Sequence, residues 1–457
     1  MSAEIEAEGG LHTSHLLTRL RAVDPLLYEG QVTQVVGTLI EAEIPGASLG
    51  TVCEVLTGNG KRIMAEVVGF KGSRNLLMPF QDLVGIGHGS RVRPVRTEHT
   101  VPVGVELLGR VLGPLGEPID GKGPLGCAAR SSLFREAPDP LGRSRIGENL
   151  PTGVRVIDTM LTLGKGQRIG IMAGTGVGKS TLLGMIARNV RSDVNVIALI
   201  GERGREVREF VEEILGVEGM ARSVVVAVTG DASPILRVKG AFVATTIAEH
   251  FRDQGLDVML MMDSVTRLAM AQREIGLAAG EPPTARGYTP SVFSMLPRIL
   301  ERCGTNEKGS VTGIYAVLVE GDDFNDPIAD ATRGILDGHI VLTRELAARN
   351  HFPAIDVLRS TSRVMKDVVH PQQVADAAEL REILATFEDA EELVNIGAYK
   401  AGSNPRIDRA LELIGPLRAF LRQHVHQVAP IDESLTRLVE LAMASREGTP
   451  NPEERPS

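Results

Sequence analysis

Two patterns of apolar positions divide the chain. Between about residues 30 and 95, short runs rich in β-branched and aliphatic side chains are separated by turn signals such as Pro45-Gly46 and Asn59-Gly60. Several short strands at this spacing predict a small β-barrel. The predicted strands are Gln31–Ile44, Thr51–Leu56, Ile63–Phe70 and Leu76–Pro79.

The central part of the chain alternates near-continuous apolar runs with helical segments. This alternation predicts an α/β domain whose parallel sheet is covered by helices on both faces. We expect its strands at Arg168–Met172, Val194–Ile200, Val224–Val228, Asp257–Met262, Val311–Val319 and Gly338–Leu342. The preceding Gly- and Pro-rich stretch Gly109–Gly121 is predicted to be a linker without regular structure. After Pro371 the apolar residues recur at helical spacing, which predicts a helical C-terminal domain.

Composition narrows the classes of protein that fit the chain. The 457 residues carry a net charge of -9, contain no Trp and are only 3% aromatic. Because nucleic-acid binding relies on a basic surface and stacking aromatics, we expect no nucleic-acid partner. Cys53, Cys127 and Cys303 have no paired or metal-ligand spacing, which indicates a reducing compartment. With no apolar leader and no run of ~18 apolar residues, we expect a cytoplasmic protein.

One Gly-rich loop carries the strongest chemical signal. It follows the predicted strand Arg168–Met172 and leads into a helical run, which is the context of a phosphate-binding P-loop. The loop consists of Ala173, Gly174, Thr175, Gly176, Val177, Gly178, Lys179, Ser180 and Thr181. Its backbone N–H groups would surround a phosphate at the helix N-terminus. Lys179 would reach the β- and γ-phosphates, and Ser180 would bind Mg²⁺.

Two carboxylates at strand ends are candidates for the remaining catalytic roles. Asp263 ends an apolar strand and would complete the Mg²⁺ site of a P-loop. Glu202 follows the strand Val194–Ile200 at the sheet edge where α/β proteins bind ligands. It is a candidate for polarising the attacking water, with Arg203 orienting that site. Spacing alone is equally compatible with a surface Glu-Arg pair.

Several motifs in one order resemble the catalytic subunits of rotary and protein-export ATPases. The similarity extends from about Gly30 to Ala442. The motifs are Thr152–Asp158, the P-loop, Gly201–Gly204, Leu260–Ser264, Gly321–Pro327, Leu336–Leu342 and Ser360–Arg363. Two further blocks, Ala285–Arg302 and Ile396–Gly402, resemble the type III protein-export ATPases more than the catalytic subunit of ATP synthase. The segment Leu182–Arg188 favours the flagellar branch over the injectisome branch.

The resemblance implies a role for each matching residue. Lys179 would bind the phosphates of ATP, Ser180 and Asp263 would bind Mg²⁺, and Glu202 would act on the attacking water. Non-catalytic subunits of rotary ATPases typically lack a carboxylate at the position of Glu202. The chain is therefore expected to hydrolyse ATP.

Two more residues gain a role only through the resemblance. Arg363 matches an arginine finger that acts on the nucleotide of a neighbouring subunit, although an isolated arginine is more often simply solvated. Phe352 falls where the family stacks an aromatic ring on adenine, with an ordinary core Phe as the alternative. A finger supplied by a neighbour requires a ring, and the family forms homohexamers.

The implied function is ATP hydrolysis that assists type III export, releasing chaperones and unfolding substrates. The implied partners are a stator-like regulator at the N-terminal segment, a central stalk-like protein, the export gate, chaperones and export substrates. The implied location is the cytoplasmic face of the inner membrane, with peripheral membrane contact. The competing hypotheses are an ATP synthase catalytic subunit, an injectisome ATPase, a hexameric nucleic-acid motor and a nucleotide-regulated binding module.

Five segments follow from the patterns and the resemblance together. Residues 1–28 would be a partner-binding segment containing an amphipathic helix, Thr13–Val23, whose apolar stripe is equally suited to packing on the barrel. The others are the barrel (29–97), the P-loop ATPase domain (98–370), the C-terminal helical domain (371–447) and a disordered tail (448–457).

Overall fold

The computed structural model describes residues 28–96, 99–319, 321 and 323–447. The chain divides into two compact units, Met1–Glu98 and His99–Ser457. The predicted helix Thr13–Val23 and the predicted tail 448–457 lie outside the described residues. Among the residues that are described, the helices are all too short or too polar to cross a membrane.

Six antiparallel strands close the first unit into a barrel in the order β1-β2-β5-β4-β3-β6. The strands are β1 (Gly30–Val36), β2 (Leu39–Glu43), β3 (Val52–Leu56), β4 (Arg62–Lys71), β5 (Arg74–Pro79) and β6 (Arg91–Arg96). Alternate apolar residues such as Ile40, Val55 and Ile63 point inward and form one buried cluster. The predicted barrel is thereby confirmed.

Two details of the barrel differ from the predictions. The single strand expected at Gln31–Ile44 is wrong, because a turn at Gly37 with φ of 57° separates β1 from β2. The sixth strand, β6, was not predicted, since its arginines and Pro94 hide the period-2 pattern. Its Val92 is fully buried inside the barrel, while Arg93 pairs outside with Glu29.

The second unit is built on a nine-stranded sheet. Its order is β17-β16-β10-β15-β13-β11-β12-β8, and β14 pairs with β15 off this path. A two-stranded ribbon of β7 and β9 lies outside this sheet. The strands are β7 (Thr100–Val103), β8 (Val111–Leu112), β9 (Ala129–Ser132), β10 (Arg168–Ala173), β11 (Val194–Glu202), β12 (Ser223–Thr229), β13 (Asp257–Asp263), β14 (Gly304–Thr305), β15 (Ser310–Leu318), β16 (Gly338–Leu342) and β17 (Ile355–Ser362).

The six strands predicted for this sheet are all present and mutually parallel. Every residue of the central strand β11 is buried, as expected for a sheet covered on both faces. The outer strand β17 is antiparallel to β16. The prediction that Gly109–Gly121 has no regular structure is wrong, because Val111 and Leu112 form β8 beside β12. A strand of two residues is too short to give a sequence pattern.

Helices cover the sheet and form the C-terminal part of the unit. They are α1 (Arg155–Met160), α2 (Lys179–Asn189), α3 (Gly204–Glu209), α4 (Gly216–Ala221), α5 (Pro234–Asp253), α6 (Val265–Ala279), α7 (Pro290–Leu300), α8 (Pro327–Ile335), α9 (Arg344–Ala348), α10 (Met365–Val368), α11 (Pro371–Asn395), α12 (Pro405–Leu421) and α13 (Ile431–Glu447). A π-helical turn, Phe210–Leu215, joins α3 to α4. Several helices begin with a proline, whose fixed φ suits the first helical position.

The C-terminal helices belong to the same unit as the sheet. α11 packs against α12 and α13, and α13 packs against α1. Buried side chains of these helices, including Leu380, Leu417 and Leu438, continue the hydrophobic core that begins at the sheet. Movements of the helices are therefore mechanically connected to the sheet.

Candidate active site

The loop between β10 and α2 has the geometry of a phosphate-binding loop. Gly176 and Gly178 have φ of 81° and 89°, a conformation that favours glycine. The backbone N–H groups of residues 174–177 donate to no acceptor in the described part of the chain. Backbone donors are normally paired, so a row of free ones at a helix N-terminus suits an anion.

Lys179 and Asp263 meet although they come from different strands. Lys179 opens α2 directly after β10, and Asp263 is the last residue of β13. The Lys179 Nζ donates to Asp263 Oδ1, and the two side chains are 11% and 6% exposed. The parallel strands thus bring the lysine expected to bind phosphate and the expected Mg²⁺ ligand to one edge of the sheet.

Glu202 lies at the same edge, at the end of β11, which neighbours β13. The residue is 8% exposed, and its Oε1 has no hydrogen-bond partner although Arg267 Nε lies 3.1 Å away. Burial, followed by the charge of Asp263, raises the pKa of Glu202 to about 7. A carboxylate oxygen can accept more than one hydrogen bond, so the group retains capacity for a further donor such as a water molecule.

Arg267 is a site residue that the sequence analysis missed. It lies on α6, four residues after Asp263, and its side chain crosses Gly201. A Cβ on Gly201 would come within 2.9 Å of Arg267 Cδ, and Gly201 has φ of 73°. Both facts require glycine there. The spacing of Arg267 one helical turn beyond a strand-end Asp was the available signal.

Arg203 is placed differently from the other candidates. Its side chain is 78% exposed, and the guanidinium lies 3.6 Å from Glu206 rather than beside Glu202. A hydrogen bond between the carboxyl groups of Glu202 and Glu206 raises the pKa of the first and lowers the pKa of the second. Arg203 therefore reaches Glu202 only through Glu206.

The pH dependence of hydrolysis should report Glu202. Only its carboxylate form can accept a proton, so kcat is expected to rise as pH increases through about 7. Arg267 lowers the pKa of Glu202, so Arg267→Gln should move this rise to higher pH. The profile is measured as kcat against pH with saturating ATP. Arg208→Gln, which removes an exposed arginine paired with Glu212, is the control and should leave the midpoint unchanged. An unmoved midpoint in Arg267→Gln would contradict the assignment.

A cavity of 570 Å³ adjoins the phosphate-binding loop. Phe352, 42% exposed, forms one wall, and a Cβ on Gly178 would lie 3.6 Å from its ring. The opposite wall is the segment after α12. The lining residues are Gly178, Thr181, Leu182, Met185, Asn350, Phe352, Pro353, Arg422, Gln423, His424 and Val425. Its position and its exposed aromatic ring suit a nucleotide base.

Two residues that the sequence analysis missed hold the C-terminal wall of this cavity. The Gln423 backbone N–H donates to Phe352 O at 2.9 Å, and its buried amide donates to Gly153 O at 2.8 Å. Arg188, on α2, donates to Val425 O at 2.8 Å. All three contacts span more than 70 residues of sequence, so no local pattern indicates them.

Arg363 lies away from the phosphate-binding loop of its own chain. Its backbone N–H donates to Asp337 O, and the Asp337 N–H donates to the O of Arg168, the first residue of β10. The loop follows Ala173, the last residue of β10. At ~3.3 Å per residue, the strand alone separates the two places by roughly 16 Å. The exposed guanidinium of Arg363 makes no ion pair with the described residues.

The chain is similar along most of its length to proteins of known class. Three family models match: the ATP synthase alpha/beta family beta-barrel domain at residues 32–96, its nucleotide-binding domain at 153–362, and the T3SS EscN ATPase C-terminal domain at 369–440. The assembled ATPase EscN of the enteropathogenic E. coli type III secretion system is 45% identical, with a TM-score of 0.87 over 90% of this chain and 100% of that one.

Curated relatives are closer in sequence. The flagellum-specific ATP synthase of Bacillus subtilis is 51% identical over 94% of this chain and 99% of the relative. The type 3 secretion system ATPase of Xanthomonas euvesicatoria is 53% identical over 90% and 93%. The fold and the site therefore define a P-loop ATPase. The chain belongs to the family of flagellum-specific ATP synthases and type 3 secretion system ATPases.

Proposed function

We propose that the chain hydrolyses Mg-ATP to assist protein export through a type III apparatus of the flagellar kind. The observation that carries this proposal is the buried carboxylate of Glu202 beside the Lys179–Asp263 pair. A carboxyl group with a pKa raised towards neutrality at this place is typical of catalytic sites, which favours turnover over a nucleotide-binding module.

Different residues of the site would bind different parts of Mg-ATP. The free N–H groups of residues 174–177 and the Lys179 ammonium bind the phosphates, and Phe352 stacks on adenine. The Ser180 hydroxyl and the Asp263 carboxylate are oxygen donors of the kind that Mg²⁺ prefers. No three His, Cys, Asp or Glu side chains converge as a metal site in the described ranges, so the ion would be shared with the phosphates. Bound Mg²⁺ would neutralise charge on the β- and γ-phosphates.

Glu202 then accepts the proton of the attacking water. The carboxyl group is buried, and its raised pKa matches a base that works near neutral pH. Arg267 and Glu206 hold this carboxyl in place. Arg203, exposed beside Glu206, is proposed to orient the site indirectly.

Arg363 is proposed to act on the nucleotide of a neighbouring subunit. Support comes from its exposure, its freedom from ion pairs among the described residues, and its distance from the loop of its own chain. Catalysis in trans requires a ring, and we propose a homohexamer. Each subunit would combine the segments 29–97, 98–370 and 371–447 as domains, the last two of which share a hydrophobic core.

Partners are proposed from the relatives. EscN, 44% identical with a TM-score of 0.83, has been solved in complex with its central stalk EscO. We propose that this chain likewise binds a central stalk-like protein, and that a stator-like regulator binds residues 1–28. The export gate, chaperones and export substrates are the remaining proposed partners. The ring would work at the cytoplasmic face of the inner membrane.

The assembly proposal is tested with the purified chain alone. Specific ATPase activity is expected to rise with protein concentration, in step with the hexamer seen by analytical ultracentrifugation, because each site needs a neighbour's arginine. No second type of subunit should be required. Lys179→Ala is the matched control and should stay inactive at every concentration. Equal activity in monomer and ring, or activity that appears only with a different subunit, would contradict the proposal.

An injectisome ATPase is the second candidate. The Xanthomonas relative is 53% identical and the Bacillus relative 51%, so sequence similarity does not separate the two systems. Deleting the gene in the native host is expected to remove hook and filament proteins from the culture medium. Loss of injected effector proteins with motility intact would instead assign the chain to an injectisome.

A further inference from the structure

The strand that leads to Arg363 has an unusual need for hydrogen-bond donors. β17 is an outer strand of the sheet, and β16 is its one neighbouring strand among the residues that the structure describes. Its pairing with β16 shifts register between His339 and Val341, where the Ser360 hydroxyl accepts from the Val341 N–H at 2.9 Å. Carbonyl groups on the outer side of such a strand need donors from elsewhere.

Arg381 supplies donors to this strand. Its Nη1 donates to Val357 O at 2.6 Å and to Ser360 O at 3.3 Å. Its Nη2 donates to Met160 O, at the end of α1, at 3.0 Å. Since Arg381 lies in the middle of α11, one guanidinium joins the outer strand, α1 and the C-terminal helices.

The setting of Arg381 makes these carbonyl contacts important. Burial lowers the pKa of Arg381 and the charge of Asp356 acts in the opposite direction, but no carboxylate forms an ion pair with Arg381 within the described ranges. A guanidinium that loses its water without a salt bridge must be stabilised by the hydrogen bonds it makes. The contacts to Val357, Ser360 and Met160 therefore hold the strand and the helix together tightly.

Other contacts fix the residues on the far side of Ser360. The Ser362 hydroxyl donates to Thr162 O at 2.8 Å, and Gln167 Nε2 donates to the same hydroxyl at 3.1 Å. The Arg363 N–H donates to Asp337 O at 3.0 Å. The backbone of Arg363 is thus held by the sheet, and the segment before it is held by Arg381.

We propose that Arg381 is a positioning residue that aims Arg363 at the nucleotide of the neighbouring subunit. The inference rests on the trans role of Arg363 proposed above. It makes α11 part of the support of the finger, so that a shift of the C-terminal helices in one subunit changes hydrolysis in the next. Catalytic groups tolerate little displacement, and about 1 Å of misplacement can cost about 100-fold in rate.

The first test is the steady-state kinetics of Arg381→Ala rings. We expect kcat to fall about 10- to 100-fold while KM for ATP stays at the wild-type value, because the variant's own nucleotide contacts are untouched. Arg381→Lys, which keeps the charge but cannot bond three carbonyls in two directions, should be intermediate. Glu382→Ala is the matched control. Glu382 is the next residue of the same helix, is exposed and pairs with Arg406 rather than with β17. It should leave kcat unchanged.

The decisive test uses mixed rings. Wild-type chains are mixed before assembly with chains that carry Glu202→Gln, which cannot hydrolyse ATP but still offer Arg363 to a neighbour. The titration is repeated with Glu202→Gln/Arg381→Ala chains and with Glu202→Gln/Arg363→Ala chains. We expect activity per wild-type subunit to fall more steeply with the Arg381 double variant, approaching the Arg363 double variant. Ring content is checked by size-exclusion chromatography.

The outcomes separate the two proposals. If the Arg381 double variant titrates like Glu202→Gln alone while the Arg363 double variant is steeper, the trans finger stands and the role of Arg381 is wrong. If all three titrations coincide, the trans finger itself is wrong. Should Arg381→Ala fail to assemble, the Arg381→Lys double variant decides in the same way. A rise in KM for ATP without a change in kcat would also overturn the positioning role.

Discussion

Glu202→Gln rings are expected to bind ATP normally and to hydrolyse it about 10²- to 10⁴-fold more slowly than wild type, the usual contribution of a general base. The amide has nearly the same shape as the carboxyl group, so its position beside Arg267 is retained. Only the ability to accept a proton is lost. Hydrolysis is followed by phosphate release, and binding by the fluorescence of a labelled ATP analogue.

Stability measurements show whether a loss of hydrolysis in Glu202→Gln comes from a destabilised fold. The pKa of Glu202 is raised in the folded chain, so the wild type loses stability as pH rises from about 4.5, the ordinary value, towards 7. The neutral amide has no such loss, and the Tm of the variant should not be lower above pH 7. Glu209→Gln, an exposed change on α3, is the control for both readouts. Unaltered hydrolysis in Glu202→Gln would favour a nucleotide-regulated binding module.

Arg363→Ala rings are expected to lose about 10³-fold or more in kcat, the usual value of an arginine finger. ATP binding should be nearly unchanged, because the side chain lies far from the phosphate-binding loop of its own chain. Arg359→Ala removes another exposed arginine of the same strand, one that pairs with Asp356, and should have little effect.

Complementation distinguishes action in trans from action in cis. Arg363→Ala chains keep Glu202, and Glu202→Gln chains keep Arg363. When the two inactive chains are mixed before assembly, sites formed by an Arg363→Ala chain beside a Glu202→Gln neighbour contain both groups. Activity well above that of either chain alone is expected. Mixtures that stay inactive would show that both groups must belong to one chain, and the ring mechanism would have to be abandoned.

The elements that carry the site could be predicted because their signals are local. The loop from Ala173 to Thr181 combines strand, glycines, Lys-Ser and helix within one short segment. Asp263 and Glu202 each end a continuous apolar run, and the parallel topology then brings them together. Each prediction needed only the rule that ligands bind at the carboxyl ends of parallel strands.

The parts that escaped prediction depend on contacts between distant segments. β8 is a strand only because β12 lies beside it. Arg267 touches Glu202 across Gly201, and Gln423 joins the C-terminal segment to Gly153. In the sequence, Arg381 resembles an ordinary charged residue of a surface helix. Only its contact with β17 distinguishes it. Sequence periodicity contains no information about such pairs.

The opposed ends of β10 also restrict how copies of this chain can associate. A subunit offers a guanidinium near the beginning of that strand and needs one near its end. A two-fold dimer could complete both sites only through one surface patch that contains both ends of the strand, whereas head-to-tail contacts use two different faces. Head-to-tail contacts that close into a ring give every copy a guanidinium from its neighbour. Such a ring is directional. If hydrolysis passes from one subunit to the next, the orientation of β10 in each subunit would set its direction around the ring.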